Sequence, residues 1–156
     1  KFFKKYHGID KCHTVWKDTV MKGGVIEGPF GRDWEVKINR DRHNELKIPW
    51  TTLTNYPVQG TGADIMMLAR LSFARRLKAS GLPAILISTV HDSIVVDVPD
   101  EELIQPIVNM FHQVFDDIPR NIKKVFNVDW NVPMGCECKM GMDMKNMHEV
   151  KRNDRE

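Results

Sequence analysis

Asp92 stands between two β-branched runs, Ile85-Leu86-Ile87 and Ile94-Val95-Val96, with His91 before it and Ser93 after it. Apolar runs of this length read as buried strands, and the polar break His91-Asp92-Ser93 reads as a tight hairpin turn. A carboxylate set among so much Val and Ile is costly to bury without a counter-charge. The pattern therefore predicts Asp92 at a hairpin tip, where a cation can reach it. Asp is also a preferred turn residue, so the turn taken alone fits an ordinary hairpin as well.

A second polar set precedes it, in Asn55-Tyr56-Pro57-Val58-Gln59-Gly60-Thr61-Gly62-Ala63-Asp64. Asn and Gln each carry a donor and an acceptor on a short arm. Such arms suit the base-edge acceptors that every base pair offers in a DNA minor groove. Gly60 and Gly62 would let another backbone or a nucleic-acid strand come close. A polar helix cap with glycines relieving crowded packing fits the same residues. Cys12, Cys136 and Cys138 cannot supply a four-thiolate zinc site, and an odd count without a signal sequence points to a reducing compartment. In an extended segment Cys136 and Cys138 share one face, which reads as two buried structural thiols.

The elements that must position these groups follow from periodicity. Lys1 to about Lys22 reads as a helix with an apolar stripe through Phe2, Phe3, Tyr6, Ile9, Val15, Trp16, Thr19 and Val20, interrupted at Gly8. Gly23-Gly24 ends it. Val25 to Ile38 reads as a hairpin turning at Pro29-Phe30-Gly31, with Trp34, Val36 and Ile38 alternating on the way out. Asn39 to Glu45 is charged and exposed, and with Lys37 its Arg40 and Arg42 suit either solvent or phosphate. From Thr51 to about Ser80 runs the longest helical stretch, irregular at its start because of Pro57, Gly60 and Gly62. Its Ile65, Leu68, Ala69, Phe73 and Leu77 face a core, Met66-Met67 is adaptable core, and Arg70, Arg75 and Lys78 lie off the stripe in solvent.

Pro99-Asp100-Glu101-Glu102 starts another helix, with acidic residues in the first turn where the macrodipole favours them. It continues through Leu103, Ile107, Met110, Phe111, Val114 and Phe115 until Pro119 interrupts it. Phe126, Val128, Trp130 and Val132 alternate, and Met134 to Lys139 reads as a last strand. This order predicts an α+β architecture, with an antiparallel sheet and helices on one side.

Composition sets the outer bounds. The chain has 156 residues, 42% hydrophobic and 28% charged, which suits one globular domain or a large piece of one. A net charge of +2 confines any nucleic-acid footprint to a local patch. No apolar run approaches the roughly 18 to 20 residues that cross a bilayer, so the expectation is a soluble protein without a membrane partner, and the cysteine count adds a cytoplasmic one. The first residue is Lys1 and the pattern starts in mid-element, which reads as a fragment.

NYPVQGTGADI followed by a strand and VHD resembles the DNA polymerase I-like (family A) DNA polymerases. In that family an N-x-P-x-Q-G-T-x-A-D segment opens a long palm helix, and a strand–HD–strand hairpin carries a metal-binding aspartate. FFKKYHGI is similar to the family's helix after the fingers, VIEGPFGRDWEV to its hairpin with a glycine-arginine tip, and VPMGCECKMG with the 143–148 region to its closing palm strand and tail. The resemblance covers nearly the whole chain, in order. It implies an antiparallel palm sheet whose central hairpin packs on long helices. Residues 1–22 would be a helix from the end of the fingers, 23–150 the C-terminal part of the palm, and 151–156 a charged tail.

The resemblance also implies roles. Asp92 becomes a catalytic ligand to two Mg²⁺ ions in a bacterial or phage polymerase, His91 a catalytic residue lying against the primer end, and Asn55, Gln59 and His91 contacts to primer–template DNA. The cytoplasm would be that of a bacterial cell or phage-infected host. Extension of a primer with dNTPs then requires a second aspartate and a fingers helix. Neither motif occurs in these residues, so an upstream segment or a second polypeptide would supply them and the chain alone would be inert. Ser93 departs from the family, which usually has a carboxylate there, and so does Thr51, where an arginine is common. The turn His91-Asp92-Ser93 also resembles single-subunit RNA polymerases of the phage type, which lack the Asn55-to-Asp64 pattern. The remaining alternative is a non-catalytic subunit that binds primer–template DNA.

Overall fold

A computed structural model of the chain describes residues 2–153. Lys1, where the first helix is expected to begin, and residues 154–156, the second half of the expected charged tail, lie outside the described residues. Helices alternate with short antiparallel ribbons, as an α+β chain should, and the chain divides into two compact units at Gly62 and Ala63.

The first unit opens with α1 (Phe2–Lys5) and α2 (His7–Met21). The expected helix is thus broken, at Tyr6 rather than Gly8, because Tyr6 leaves helical geometry at φ −120° and ψ 58°. Gly23 takes a positive φ of 77° just after α2, the left-handed turn that glycine adopts without steric cost. The predicted hairpin forms as β1 (Ile26–Glu27) against β2 (Asp33–Trp34), pairing Ile26 with Trp34. The charged stretch after it is exposed as expected, apart from half-buried Asp41, and also folds into a second ribbon, β3 (Asn39–Arg40) against β4 (Leu46–Lys47). The Asp41 carboxylate accepts hydrogen bonds from the backbone N–H groups of His43 and Glu45 at 2.8 and 3.0 Å and so shapes that turn. Val20, Ile26, Val36 and Leu53 are buried together, with Trp16, Trp34, Ile38 and Ile48 packed around them.

α3 (Trp50–Ser80) is one continuous helix straight through Pro57. The irregular start expected from Pro57 and the two glycines does not occur. Pro57 has no N–H to give to an earlier carbonyl, a local loss that the helix spans, while its own carbonyl accepts Thr61 Oγ1 at 2.7 Å.

In the second unit Ile65, Ala69, Phe73 and Leu77 on α3 are buried as predicted, and Leu68 is half-buried. β5 (Ile85–Val90) pairs with β6 (Ser93–Asp97), with a register shift between Leu86 and Ser88. A short 3₁₀ turn, Glu101–Leu103, leads into α4 (Ile104–Asp116), and α5 (Ile118–Phe126) follows at once with Pro119 in its first turn. Ile107, Val108, Val114, Phe115, Ile118 and Ile122 are buried, and Phe111 stacks on Phe73 with ring centroids 4.0 Å apart and planes 7° from parallel. Such a pair adds about 0.5–1.5 kcal/mol beyond the area it buries. Arg76 on α3 is ion-paired with Asp117 between α4 and α5, and Arg120 reaches the same carboxylate at 3.0 Å. The last ribbon, β7 (Cys138–Met140) against β8 (His148–Val150), begins later than the expected Met134–Lys139 strand. Phe126, Val128 and Trp130 are half-buried and alternate with exposed neighbours, but that segment is not a strand.

Two expectations need correction. The strands form four separate two-stranded ribbons among the described residues, not one palm sheet. The apolar runs of β5 and β6 are also not buried strands: Ile85 is 64% and Ile87 61% exposed. Period-2 patterning reports a side chain's preference for burial, and a ribbon lacking a layer against one face leaves that face in water.

Candidate functional site

The β5–β6 register puts Val90 opposite Ser93, so the connection is the two-residue turn His91-Asp92. His91 has φ 52°, in the left-handed region that a two-residue hairpin turn demands. His, Asn and Asp are the non-glycine residues that accept this geometry most readily. The strain of the turn is thus carried by the residue next to Asp92. His91, Asp92 and Ser93 are all exposed, and the sequence expectation of a solvent-facing carboxylate at the tip of an apolar hairpin holds. Asp97 pairs with Ile85 at the opposite end of the ribbon, far along the strand from the tip.

Asn55 and Gln59 lie on α3 four residues apart, on one face, and both are exposed with Tyr56 and Val58 between them. Neither caps the helix, whose first residue is Trp50. The polar-cap reading of these two side chains therefore falls away. The glycines divide. A Cβ built on Gly60 would lie 2.6 Å from Trp34 Cζ2 and 2.7 Å from Nε1, so Gly60 relieves crowded packing. A Cβ on Gly62 would meet nothing within 4 Å, so Gly62 keeps an open helix surface.

His91 and Asp92 are brought together by the turn, and Asn55 and Gln59 by the helix period. The two pairs belong to different compact units. Arg70 is half-buried, with its guanidinium 2.8 Å from Met67 Sδ, whereas Arg75 and Lys78 are exposed as expected. Among the described residues, Asp92 is in no group of three side chains able to hold a metal ion; the one such group is His112, Cys136 and Cys138. That group went unseen in the residue pattern because His112 lies on a different element. Cys136 and Cys138 are half-buried, not buried. Among the described residues no helix is long and apolar enough to cross a membrane.

Comparison with known proteins agrees with the residue patterns. The model of DNA polymerase family A matches residues 1–146. DNA polymerase I of Aquifex aeolicus is 29% identical over 139 residues, 83% of this chain and 22% of that protein. DNA polymerase I of Chloroflexus aurantiacus is 31% identical over 130 residues, 83% of this chain and 14% of that protein. A DNA polymerase of Bacillus phage SP01 is 28% identical over 116 residues, 72% of this chain and 12% of that protein. The chain thus spans under a quarter of the length of these relatives.

Proposed function

The chain belongs to DNA polymerase family A, and from that membership we propose that it is the C-terminal part of a template-directed DNA polymerase, contributing the end of the fingers and part of the palm. The observation that carries this reading is Asp92, an exposed carboxylate held at the two-residue tip of the β5–β6 ribbon.

A solvent-facing carboxylate oxygen is the hard donor that Mg²⁺ prefers, and the two-residue turn presents it without burying charge. With a second carboxylate supplied, Asp92 would help to hold a pair of Mg²⁺ ions, which would supply charge stabilisation to an in-line displacement. The reaction releases the proton of the primer 3′-hydroxyl to solvent, joins its oxygen to the α-phosphorus of a dNTP, breaks the bond to the bridging oxygen and releases pyrophosphate. Asp92 provides one anionic ligand. Asp92 alone cannot hold two cations, and the second aspartate comes from a segment outside these residues, either upstream in the same protein or in a partner chain. Ser93, exposed beside Asp92, offers a neutral hydroxyl where many relatives of this family would place a second charge. His91 bears against the primer end. Asn55 and Gln59, one turn apart on the exposed face of α3, hydrogen-bond to the minor groove of primer–template DNA and hold register without reading sequence.

The test is primer extension with Mg²⁺ and dNTPs, using this chain alone and mixed with the upstream polymerase segment. Extension in the mixture that disappears with Asp92→Ala supports the proposal. Primer–template binding without extension overturns it in favour of a DNA-binding subunit, and a preference for ribonucleotides does so in favour of an RNA polymerase.

A further inference from the structure

We propose that His112, Cys136 and Cys138 form a second metal site, remote in sequence from Asp92, that binds one Zn²⁺ through three protein ligands and leaves the fourth position to water. Each residue directs one ligand atom into a common space, and these atoms all lie within 4.8 Å of one another. Cys136 Sγ is already 3.7 Å from His112 Nδ1. In a tetrahedral site with Zn–S about 2.3 Å and Zn–N about 2.0–2.1 Å, neighbouring ligand atoms sit about 3.5–3.8 Å apart. Closing the group around an ion therefore needs only small side-chain rotations.

The elements explain why these three residues meet. Cys136 and Cys138 alternate along the extended chain entering β7, so their thiols share one face. His112 lies in the last turns of α4. All three side chains are half-buried, so the group is reached from solvent yet partly shielded from it. Each thiol gives up its proton to solvent when the ion binds. Two thiolates would neutralise the ion's charge, while the imidazole binds as the neutral ring.

Thiolate and imidazole donors select a borderline-soft ion such as Zn²⁺ over Mg²⁺, which takes oxygen ligands. Asp116 lies one helical turn beyond His112, but its carboxylate is engaged by Arg152 at 2.7 Å. Hence the fourth position goes to water. Cys12 lies on α2 and takes no part.

The full chain, reduced and stripped of metal, is titrated with Zn²⁺ against a chromophoric chelator and separately with Co²⁺ followed by absorption. The expected result is one equivalent bound, with a sulfur-to-cobalt charge-transfer band and the visible bands of tetrahedral Co²⁺. Cys136→Ser/Cys138→Ser and His112→Ala each weaken binding by about 100-fold or more, while Cys12→Ser leaves it unchanged. Zn²⁺ raises the melting temperature of the wild-type chain and not that of the double variant. His112→Ala retains both thiols and covers the case in which the double variant fails to fold. Absence of a bound equivalent, a Co²⁺ spectrum without the thiolate band, or undiminished binding by His112→Ala overturns the proposal.

Discussion

The indole of Trp34, on β2, fills the space that a side chain at Gly60, on α3, would need, with Trp34 Nε1 2.7 Å from where a Cβ would be. One glycine of the Gly60-Thr61-Gly62 step is thereby committed to the core of the first unit, and its neighbour is left open on the helix surface.

The two glycines should therefore respond oppositely to alanine. Gly60→Ala forces Trp34 out of its seat and costs about 1–3 kcal/mol, read as a lower melting temperature. Gly62→Ala meets no atom and gains helix propensity, stabilising the chain by about 0.5–1 kcal/mol. If Gly62 is open for a nucleic-acid strand, Gly62→Ala weakens primer–template binding despite that gain, and a binding isotherm beside the melt separates the two effects.

With the upstream segment present, Asp92→Ala should lower primer extension by about 1000-fold, the loss of several kcal/mol of charge stabilisation in the transition state. Asp97→Ala, at the far end of the same ribbon, should leave extension within about twofold of wild type. Single-turnover rates measured at saturating dNTP make the comparison.

Asn55→Ala and Gln59→Ala should each raise the Kd for primer–template DNA by about 2- to 10-fold, the weight of one or two neutral hydrogen bonds. The increase should be the same for primer termini of different sequence. Fluorescence anisotropy with several duplexes reads this directly, and a sequence-dependent loss would show that these side chains discriminate bases.

Asp117 accepts contacts from both Arg76 and Arg120, whose side chains are 32% and 75% exposed. Removing Arg76 should cost about 1 kcal/mol and removing Arg120 almost nothing, because a solvated pair is screened. Urea midpoints at low and high salt report both losses.

Asp143 is held below the usual carboxylate range by the side-chain amide of Asn146 and by the backbone N–H groups of Asn146 and Lys145. Its folded pKa is depressed, so its contribution is present above the unfolded value of about 3.9 and is lost as pH falls through the lower folded value. Amide exchange at Lys145 and Asn146 should quicken as pH drops through that acidic window, after correction for the intrinsic rate. Asp143→Ala should remove the transition.

Replacing Ile85 and Ile87 with Thr should change stability by no more than about 0.5 kcal/mol, because both side chains are mostly exposed. It should also reduce concentration-dependent self-association, since a two-stranded ribbon with an apolar face and open edges invites pairing. Sedimentation velocity over a range of concentrations measures this.

Local order was legible in the residues themselves. The 3.6-residue apolar period located α3 and its buried Ile65, Ala69, Phe73 and Leu77, and the β-branched runs around His91-Asp92 located the ribbon and its tip. These depend on interactions between near neighbours in the chain, which spacing records. The same spacing misjudged Pro57, because a helix supported along its length tolerates one missing N–H, and it missed β3–β4, whose turn is made by the Asp41 side chain rather than by apolar alternation.

Tertiary packing decided what lies opposite what. Whether Gly60 served packing or access rested on Trp34, a residue on another element, and the periodicity of α3 contains nothing about that partner. Cys136 and Cys138 were visible as a pair because two residues along an extended chain share a face. His112 joined them only through the folding of α4 and β7, since a contact across 24 residues is set by which faces pack together and not by spacing along the chain.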